Sequence, residues 1–269
     1  MDVIKSFDLT DKVAVVTGSL GLIGKEHCRA LAEAGATVVV TDIDGKKCEE
    51  FAATLPNALS YGADITNKES IEQLRDFILV NVGKIDILVN NAAINDKFEN
   101  PAAVFELSSF ENYPLELWQQ SLNVNVTGMF ICSQVLGTVM AEQGGGSIIN
   151  IASTYGIVAP DQSLYKDEQG NQKFFKTAAY PVTKGAVISF TRFLAAYWGE
   201  KGVRVNTLSP GGVEAGQDDF FITNYSKKTP LKRMANASDY KGALVFLASD
   251  ASSYMTGANL VVDGGFTAW

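Results

Sequence analysis

Short apolar segments alternate with longer amphipathic segments from one end of the chain to the other. The short segments are rich in Val and Ile, which is typical of strands buried on both faces of a parallel sheet. Seven are expected, the third being the weakest: Val13–Thr17, Thr37–Thr41, Leu59–Gly62, Ile85–Asn90, Ser147–Ile151, Val203–Leu208 and Leu260–Val262. Apolar residues at three- and four-residue spacing predict helices at Ile23–Ala34, Lys46–Leu55, Lys68–Val82, Leu115–Glu142, Ala179–Gly199 and Ser238–Ala248.

This alternation predicts an α/β fold, a Rossmann-like three-layer αβα sandwich around a seven-stranded parallel sheet. No repeat, linker or low-complexity tract interrupts it, so residues 1–269 are expected to form one cofactor-binding domain. Segments near 94–114 and 158–177 are longer than βα units need, and a further lid segment is expected near 211–228. Each follows the carboxyl end of a strand, where open α/β sheets bind ligands, so all three are expected to act as substrate lids.

Composition narrows the function classes further. Apolar side chains make up 46% of the 269 residues, enough for a sizeable core, and the net charge of -8 disfavours nucleic acid as a partner. The three cysteines lack metal or redox spacing, which predicts buried reduced thiols and no metal site. The segment Met1–Asp11 has no basic stretch leading into an apolar one, and no apolar run of membrane-spanning length is apparent. A cytoplasmic protein that binds no membrane is therefore expected.

A glycine-rich segment, Thr17-Gly-Ser-Leu-Gly-Leu-Ile-Gly24, lies between the first predicted strand and the first helix. Small residues at this position let the backbone approach a pyrophosphate at the helix N-terminus. The alternative is a turn that only closes the strand onto the helix.

The second predicted strand leads into Asp42. A carboxylate there can accept hydrogen bonds from ribose hydroxyls and would repel a 2′-phosphate. No Lys or Arg stands next to it, so NAD is expected as the cofactor and NADP is disfavoured. Asp42 could instead cap the turn that follows.

Tyr180 and Lys184 lie one helical turn apart on the same face of a predicted helix. A free phenol has a pKa near 10, and a neighbouring cation lowers it by stabilising the phenolate. Tyr197 and Lys201 have the same spacing, but they fall at the far end of that helix, away from the ligand-binding edge. Ser153 and Asn125 are polar residues that could turn inward, or could serve as a cap and a solvated side chain.

Together these residues resemble the single-domain branch of the short-chain dehydrogenase/reductase family, over nearly the whole chain. The matching motifs are the glycine-rich turn, Asp64-Ile65, Asn90-Asn91-Ala92-Ala93, Asn125-Val126-Thr127-Gly128, Ser153, Tyr180 with Lys184, Pro210-Gly211-Gly212, Thr256-Gly257 and Val262-Asp263-Gly264-Gly265. The resemblance implies reversible hydride transfer between the nicotinamide and a carbinol or ketone carbon.

By that resemblance Tyr180 is the general acid/base, Lys184 lowers its pKa, Ser153 orients the reacting oxygen and Asn125 holds a water of a proton relay. The implied cofactor-binding residues are Gly18, Gly21, Leu22, Ile23, Gly24, Asp42, Asp64, Ile65, Asn91, Ala92, Tyr180, Lys184, Pro210, Gly211 and Val213. The family likeness also implies a homotetramer built on the two longest helices, with a dimer as the alternative.

Three features depart from the family pattern. Leu22 stands where this branch usually has Gly, a spacing similar to that of nucleotide-sugar epimerases and dehydratases. Ala93 replaces the usual Gly of Asn-Asn-Ala-Gly, and Ser153 and Tyr180 are unusually far apart, by 27 residues. None of the three removes a catalytic group.

The substrate is expected to be a sugar or another polyhydroxylated compound with a secondary alcohol. Polar residues are expected to roof its pocket, namely Asp161, Gln162, Tyr165, Glu168, Gln217, Asp218 and Tyr225. Segment 153–162 also resembles family members from bacterial surface-sugar and flagellin-modification pathways.

Two alternatives stay open, and a third is disfavoured. The hydride could return to the substrate, as in a nucleotide-sugar epimerase or dehydratase, or the chain could bind NAD and regulate without catalysis. A 3-oxoacyl-carrier-protein reductase is disfavoured, because no Lys or Arg lies between Lys97 and Lys166 to receive an acidic carrier protein. His27, the sole histidine, is expected on a helix face without a catalytic role.

Overall fold

The computed structural model describes residues 2–96 and 104–269. Seven strands form one parallel sheet in the order β3-β2-β1-β4-β5-β6-β7. Their bounds are β1 Val13–Thr17, β2 Thr37–Asp42, β3 Ala58–Gly62, β4 Ile87–Asn90, β5 Gly146–Ile151, β6 Val203–Pro210 and β7 Asn259–Val262. The predicted Rossmann-like sandwich with a seven-stranded parallel sheet is confirmed.

Helices cover both faces of this sheet. Their bounds are α1 Leu22–Glu33, α2 Gly45–Ala52, α3 Lys68–Val82, α4 Val104–Ser108, α5 Leu115–Leu122, α6 Met129–Glu142, α7 Ala179–Trp198, α8 Asp219–Lys228 and α9 Lys241–Ala248. α1, α2 and α9 contribute to the core on one face, and α3, α6 and α7 to the core on the other.

Strand β1 shows why the apolar runs are continuous. All five of its residues are buried. Ala14 and Val16 belong to the core on one face, whereas Val13 and Val15 belong to the core on the other, because successive side chains point to opposite faces. A strand sandwiched between two helical layers therefore needs apolar residues at every position.

The predicted long helix Leu115–Glu142 contains a π-helical stretch, Asn123–Gly128, between α5 and α6. This run is also long and apolar enough to cross a membrane, contrary to the sequence-based expectation, but 61% of its most apolar window is buried inside the protein. Such burial is typical of a core helix, since its apolar side chains already pack against the sheet.

Helix α8 was not predicted from the sequence, which indicated only a lid near 211–228. Its N-terminus is capped by the Asp218 carboxylate, which accepts a hydrogen bond from the amide of Phe221. Its apolar face contacts a small separate aromatic cluster instead of the main core, so the usual amphipathic pattern is weak. Of the lid near 94–114, residues 97–103 lie outside the described residues.

All three cysteines are buried and free, as expected of reduced thiols. His27 lies in α1, is fully buried, and neither ring nitrogen has a hydrogen-bond partner among the described residues. Burial therefore lowers its pKa from 6.5 to about 3, because the charged form would lose its hydration.

This burial predicts a pH-dependent stability. The unfolded chain takes up a proton on His27 below pH 6.5, whereas the folded chain resists it down to about pH 3. The free energy of unfolding should therefore fall in that window by up to about 1.4 kcal/mol per pH unit from this group. We expect His27→Leu to lack this component and to be at least as stable at pH 7, as urea titrations across the window would measure. An unchanged pH slope would contradict this prediction.

Candidate active site

A cavity of about 960 Å³ opens at the carboxyl ends of the central strands. Residues from the ends of β1, β2, β4, β5 and β6 line it, together with the lid segments. The structure brings all but one of the predicted catalytic and cofactor-binding residues to its wall, the exception being Asn125. Those at the wall are Gly18, Gly21, Leu22, Ile23, Gly24, Asp42, Asp64, Ile65, Asn91, Ala92, Ser153, Tyr180, Lys184, Pro210, Gly211 and Val213.

The glycine-rich turn is built so that only glycine fits at its two ends. Gly18 has a φ of +63°, and a Cβ atom there would lie 2.6 Å from the Cα of Ala92. A Cβ atom on Gly24 would lie 2.2 Å from the carbonyl oxygen of Gly18. Leu22, the departure from the family pattern, is 51% exposed at the start of α1, so its side chain does not obstruct the turn.

The turn leaves the N-terminus of α1 open towards the cavity. Gly21 is the N-cap residue and supplies no side-chain cap. The amide of Lys25 bonds back to the Gly21 carbonyl at 3.1 Å, and the three amides before it, from Leu22 to Gly24, precede the first intrahelical bond. Unpaired amides at the positive end of a helix dipole form a site for an anion such as a pyrophosphate.

Asn91 holds the turn in place from the neighbouring strand. Its Nδ2 donates to the carbonyl oxygens of Thr17 at 3.0 Å and Gly18 at 2.9 Å. The Thr17 hydroxyl in turn accepts from the amides of Asn91 and Ala92, both at 3.1 Å. The end of β4 and the end of β1 are therefore locked to each other at the floor of the cavity.

Two carboxylates stand at the far end of the cavity. Asp42 accepts hydrogen bonds from the amides of Leu20 at 3.1 Å and Ile43 at 2.8 Å. Asp64 accepts from the amide of Thr66 at 2.9 Å. Each carboxylate still has lone pairs that can accept from another donor. Asp42 does not cap α2, because the N-cap residue of that helix is Asp44.

Tyr180 and Lys184 lie on the first turns of α7 at the opposite end of the cavity. The Lys184 Nζ donates to the carbonyl oxygen of Ile151 at 2.9 Å and lies 5.7 Å from the centre of the Tyr180 ring. Burial lowers the pKa of Lys184 to about 8. Burial raises the pKa of Tyr180, while the hydroxyl of Ser153 beside it acts in the opposite direction. The three side chains thus form one proton-handling cluster.

The second Tyr/Lys pair is not at the cavity. Tyr197 is 64% exposed and stacks on Phe193 with ring centres 5.8 Å apart, on the surface of α7. The spacing of the two pairs is the same, so only their position in the fold separates them.

Asn125 lies behind the cavity wall, in the π-helical stretch. Its Oδ1 accepts from the amide of Ile94 at 2.7 Å, and its Nδ2 donates to the Ile94 carbonyl at 3.0 Å and the Thr183 hydroxyl at 3.2 Å. These bonds tie the segment after β4 to α7. A water-holding role for Asn125 stays a prediction.

The half of the cavity beside Tyr180 is more aromatic than the sequence suggested. Its wall includes Tyr155, Tyr165, Phe174, Phe221, Tyr225 and Met234. The hydroxyls of Tyr155 and Tyr165 are 3.1 Å apart, and burial raises the pKa of Tyr165 to about 12. These phenols are therefore neutral hydrogen-bonding groups near neutral pH.

The expected polar roof is correct only in part. Tyr165, Gln217, Asp218 and Tyr225 do line the cavity. Asp161, Gln162 and Glu168 do not, so the prediction is wrong for these three. The Asp161 carboxylate forms an ion pair with Lys228, Gln162 bonds to the backbone of Lys176, and Glu168 is exposed. Asp161 instead links its lid to α8, and Gln162 bonds to another residue of its own lid.

Lys176 also lines the cavity and was missed by the sequence reasoning. The one available signal is its place four residues before Tyr180, at the end of the unusually long segment after Ser153.

The family model described as enoyl-(acyl carrier protein) reductase matches residues 21–267. An NAD-dependent glycerol dehydrogenase of Listeria innocua serovar 6a is 35% identical over 98% of this chain and 96% of its own. A galactitol 2-dehydrogenase of Cereibacter sphaeroides is 35% identical over the full length of both.

Solved structures agree with these relatives. A short-chain type dehydrogenase/reductase of Mycobacterium marinum is 32% identical, with a TM-score of 0.85 over 99% of both chains. A gluconate 5-dehydrogenase of Burkholderia cenocepacia J2315, solved with NADP and tartrate, is 31% identical, also with a TM-score of 0.85 over 99% of both. The family likeness read from the motifs is thereby confirmed: this chain belongs to the short-chain dehydrogenase/reductase family.

Proposed function

We propose that this protein is an NAD-dependent dehydrogenase that oxidises a secondary alcohol of a polyhydroxylated substrate to the ketone, and that catalyses the reverse reduction with NADH. One observation carries the proposal: Tyr180, Lys184 and Ser153 meet at one end of a cavity whose other end has an open helix N-terminus and two carboxylates. Relatives that are dehydrogenases support an oxidoreductase activity for this chain.

The cavity residues fit a nicotinamide dinucleotide. Gly18 and Gly24 permit a tight turn, since a Cβ atom on either would collide with backbone, and the amides that open α1 could bind the pyrophosphate. Asp64 and Ile65 would flank the adenine, Asn91 and Ala92 the adjacent ribose, and Pro210, Gly211 and Val213 the nicotinamide end. When bound, the cofactor supplies a hydride acceptor at the nicotinamide ring.

The chain's own residues handle the proton. Tyr180 accepts the hydroxyl proton of the substrate through its phenolate oxygen, while Ser153 holds the reacting oxygen by a hydrogen bond. Lys184 stays next to the phenol ring and stabilises the phenolate through its positive charge. The ammonium remains in place because the Ile151 carbonyl fixes it.

NAD is the proposed cofactor because Asp42 ends β2 at the cavity wall, where a carboxylate would repel a 2′-phosphate. The relatives differ in cofactor, one being an NAD-dependent enzyme and one solved with NADP. Among the described residues at that end of the cavity none is Lys or Arg.

We expect Asp42→Ser to bind NADP at least about tenfold more tightly than the unchanged protein and NAD more weakly, because a like-charge repulsion is removed. Fluorescence titrations with both cofactors measure this. Asp44→Ser is the matched control, since Asp44 caps α2 outside the cavity wall and Ser retains the cap. Equal cofactor preferences in the unchanged protein and Asp42→Ser would count against the assignment.

Two other functions remain as alternatives. One is an epimerase or dehydratase that produces no net NADH, and the other is a non-catalytic regulator that binds NAD. A carrier-protein substrate is disfavoured because the sequence has no Lys or Arg between Lys97 and Lys166, so this stretch offers no basic surface to an acidic partner. The relatives named after glycerol and galactitol support a polyol-like substrate instead.

We further propose a cytoplasmic homotetramer. An exposed aromatic row on α6 and α7 supports self-association, since Phe130, Phe193 and Tyr197 are 46%, 60% and 64% exposed and Phe190 stacks within the row. Light scattering of the purified protein would separate a tetramer from a dimer.

The direct test is NADH absorbance with NAD and a panel of alditols, sugars, sugar acids, amino sugars and simple secondary alcohols. We expect turnover with polyhydroxylated compounds and none with simple alcohols of similar size. Tight NAD binding with no NADH from any member of the panel would support the regulator or the epimerase instead.

A further inference from the structure

A second lysine lies in the substrate half of the cavity. The Nζ of Lys176 is 4.4 Å from the centre of the Tyr180 ring, which is closer than the 5.7 Å of the Lys184 Nζ. Its ammonium donates one hydrogen bond, to the Oδ1 of Asn95 at 2.7 Å. Within residues 2–96 and 104–269 it forms no salt bridge. An ammonium group has three donors, so two remain for a ligand.

The lid holds Lys176 by its backbone and leaves its side chain to face the cavity. The Oε1 of Gln162 accepts from the Lys176 amide and its Nε2 donates to the Lys176 carbonyl, both at 2.9 Å. Gln172 fixes Gln162 in turn, since its Nε2 donates to the Gln162 carbonyl at 2.9 Å. Thr177, the next residue, bonds to Asp96. These hydrogen bonds hold the backbone of Lys176 in place at the end of the long segment between Ser153 and Tyr180.

The surroundings lack a built-in counterion at contact distance among the residues that the structure describes. Burial lowers the pKa of Lys176 to about 8, and the Asp96 carboxylate opposes that shift from farther away. Asp218 also lines this half of the cavity, but its carboxylate already pairs with Lys173 at 3.1 Å. A half-buried cation with one neutral partner loses part of its hydration, and an anionic ligand group would offset that loss.

We propose that Lys176 binds a carboxylate of the substrate, so that the preferred substrates are hydroxy acids of the aldonate type over neutral polyols. The inference rests on the proposed function, because it places the carboxylate within a short carbon chain of the carbinol that Tyr180 deprotonates. A carboxylate would accept a hydrogen bond from the ammonium with charges on both groups, whereas the hydroxyl of an alditol at the same place would be an uncharged acceptor.

Matched substrates test this directly. Gluconate and galactonate differ from glucitol and galactitol only in having a carboxylate in place of a terminal CH₂OH. We expect kcat/KM with NAD to be at least about tenfold higher for the acids. Lys176→Met, which keeps an unbranched side chain one atom shorter and removes the charge, should lower kcat/KM for the acids about 10- to 100-fold and for the alditols less than about threefold. Lys166→Met is the control on the same lid, since Lys166 is exposed, and should change neither.

Calorimetric titration of the purified chain with gluconate and glucitol separates this inference from the proposed function. Gluconate binding that depends on Lys176, without NADH from any substrate, would sink the dehydrogenase and retain the carboxylate site. NADH from alditols combined with equal binding of gluconate and glucitol would overturn the carboxylate site and retain the dehydrogenase. Equal losses for acids and alditols in Lys176→Met would also overturn it.

Discussion

Replacing Tyr180 by Phe should lower kcat by about 1,000-fold or more while NAD still binds. The substitution removes the hydroxyl that exchanges the proton but keeps the ring, which packs at the cavity wall beside Ser153 and Lys184. General acid/base catalysis typically contributes about 10²- to 10⁴-fold to an enzymatic rate. NADH absorbance gives kcat, and a fluorescence titration gives the affinity for NAD.

Tyr197→Phe is the matched control, since Tyr197 lies on the same helix with a lysine at the same spacing but is 64% exposed. It should retain nearly full activity. If the two variants lost activity equally, the choice between the two Tyr/Lys pairs would be wrong. If Tyr180→Phe also lost NAD binding, a structural role for the ring would explain the result better than proton transfer.

Replacing Gly24 by Ala should weaken NAD binding by about 100-fold. The added Cβ would lie 2.2 Å from the Gly18 carbonyl oxygen and 2.9 Å from the Asn91 Nδ2, and the first contact is with rigid backbone. The turn must therefore move. A displacement of about 1 Å at a positioned site can lower a catalytic rate about 100-fold, and we expect a loss of similar size in the affinity for NAD. Overpacking should also reduce stability by about 1–3 kcal/mol.

Gly242→Ala provides the comparison for this prediction. Gly242 lies in α9, and a Cβ atom there would meet nothing within 4 Å. Alanine favours the helix by about 0.5–1 kcal/mol, so this variant should bind NAD normally and unfold at the same temperature or slightly higher. Isothermal titration and thermal unfolding measure both quantities. Unchanged NAD affinity in Gly24→Ala would mean that the pyrophosphate does not occupy the turn.

Much of the cofactor end of the cavity was predictable because local patterns specify it. Gly18 directly follows β1 and Asp42 ends β2, and parallel strands place their carboxyl ends at one edge of the sheet. The order of strands then brings the residue after β4, Asn91, against the glycine turn. None of these placements depends on how a long loop folds.

The substrate end was less predictable. Its aromatic wall comes from α8 and from the segment before Tyr180, whose residues form a small cluster separate from the two main cores. Asp, Gln and Lys side chains in a loop can face the cavity, the solvent or another loop, and the sequence does not distinguish these directions. The roof residues were therefore assigned partly wrong, and Lys176 was not singled out.

The sheet, the helical layers, the position of the chemically active groups and the choice of Tyr180 with Lys184 could be predicted from the sequence alone, because hydrophobic periodicity and chain order specify which residues are buried and which follow strands. The lid side chains that point into the cavity could not be predicted without the folded structure. Their directions depend on contacts between residues that are well separated along the chain, such as the hydrogen bond of Gln162 to Lys176 and the ion pair of Asp161 with Lys228, and no local pattern specifies these partners.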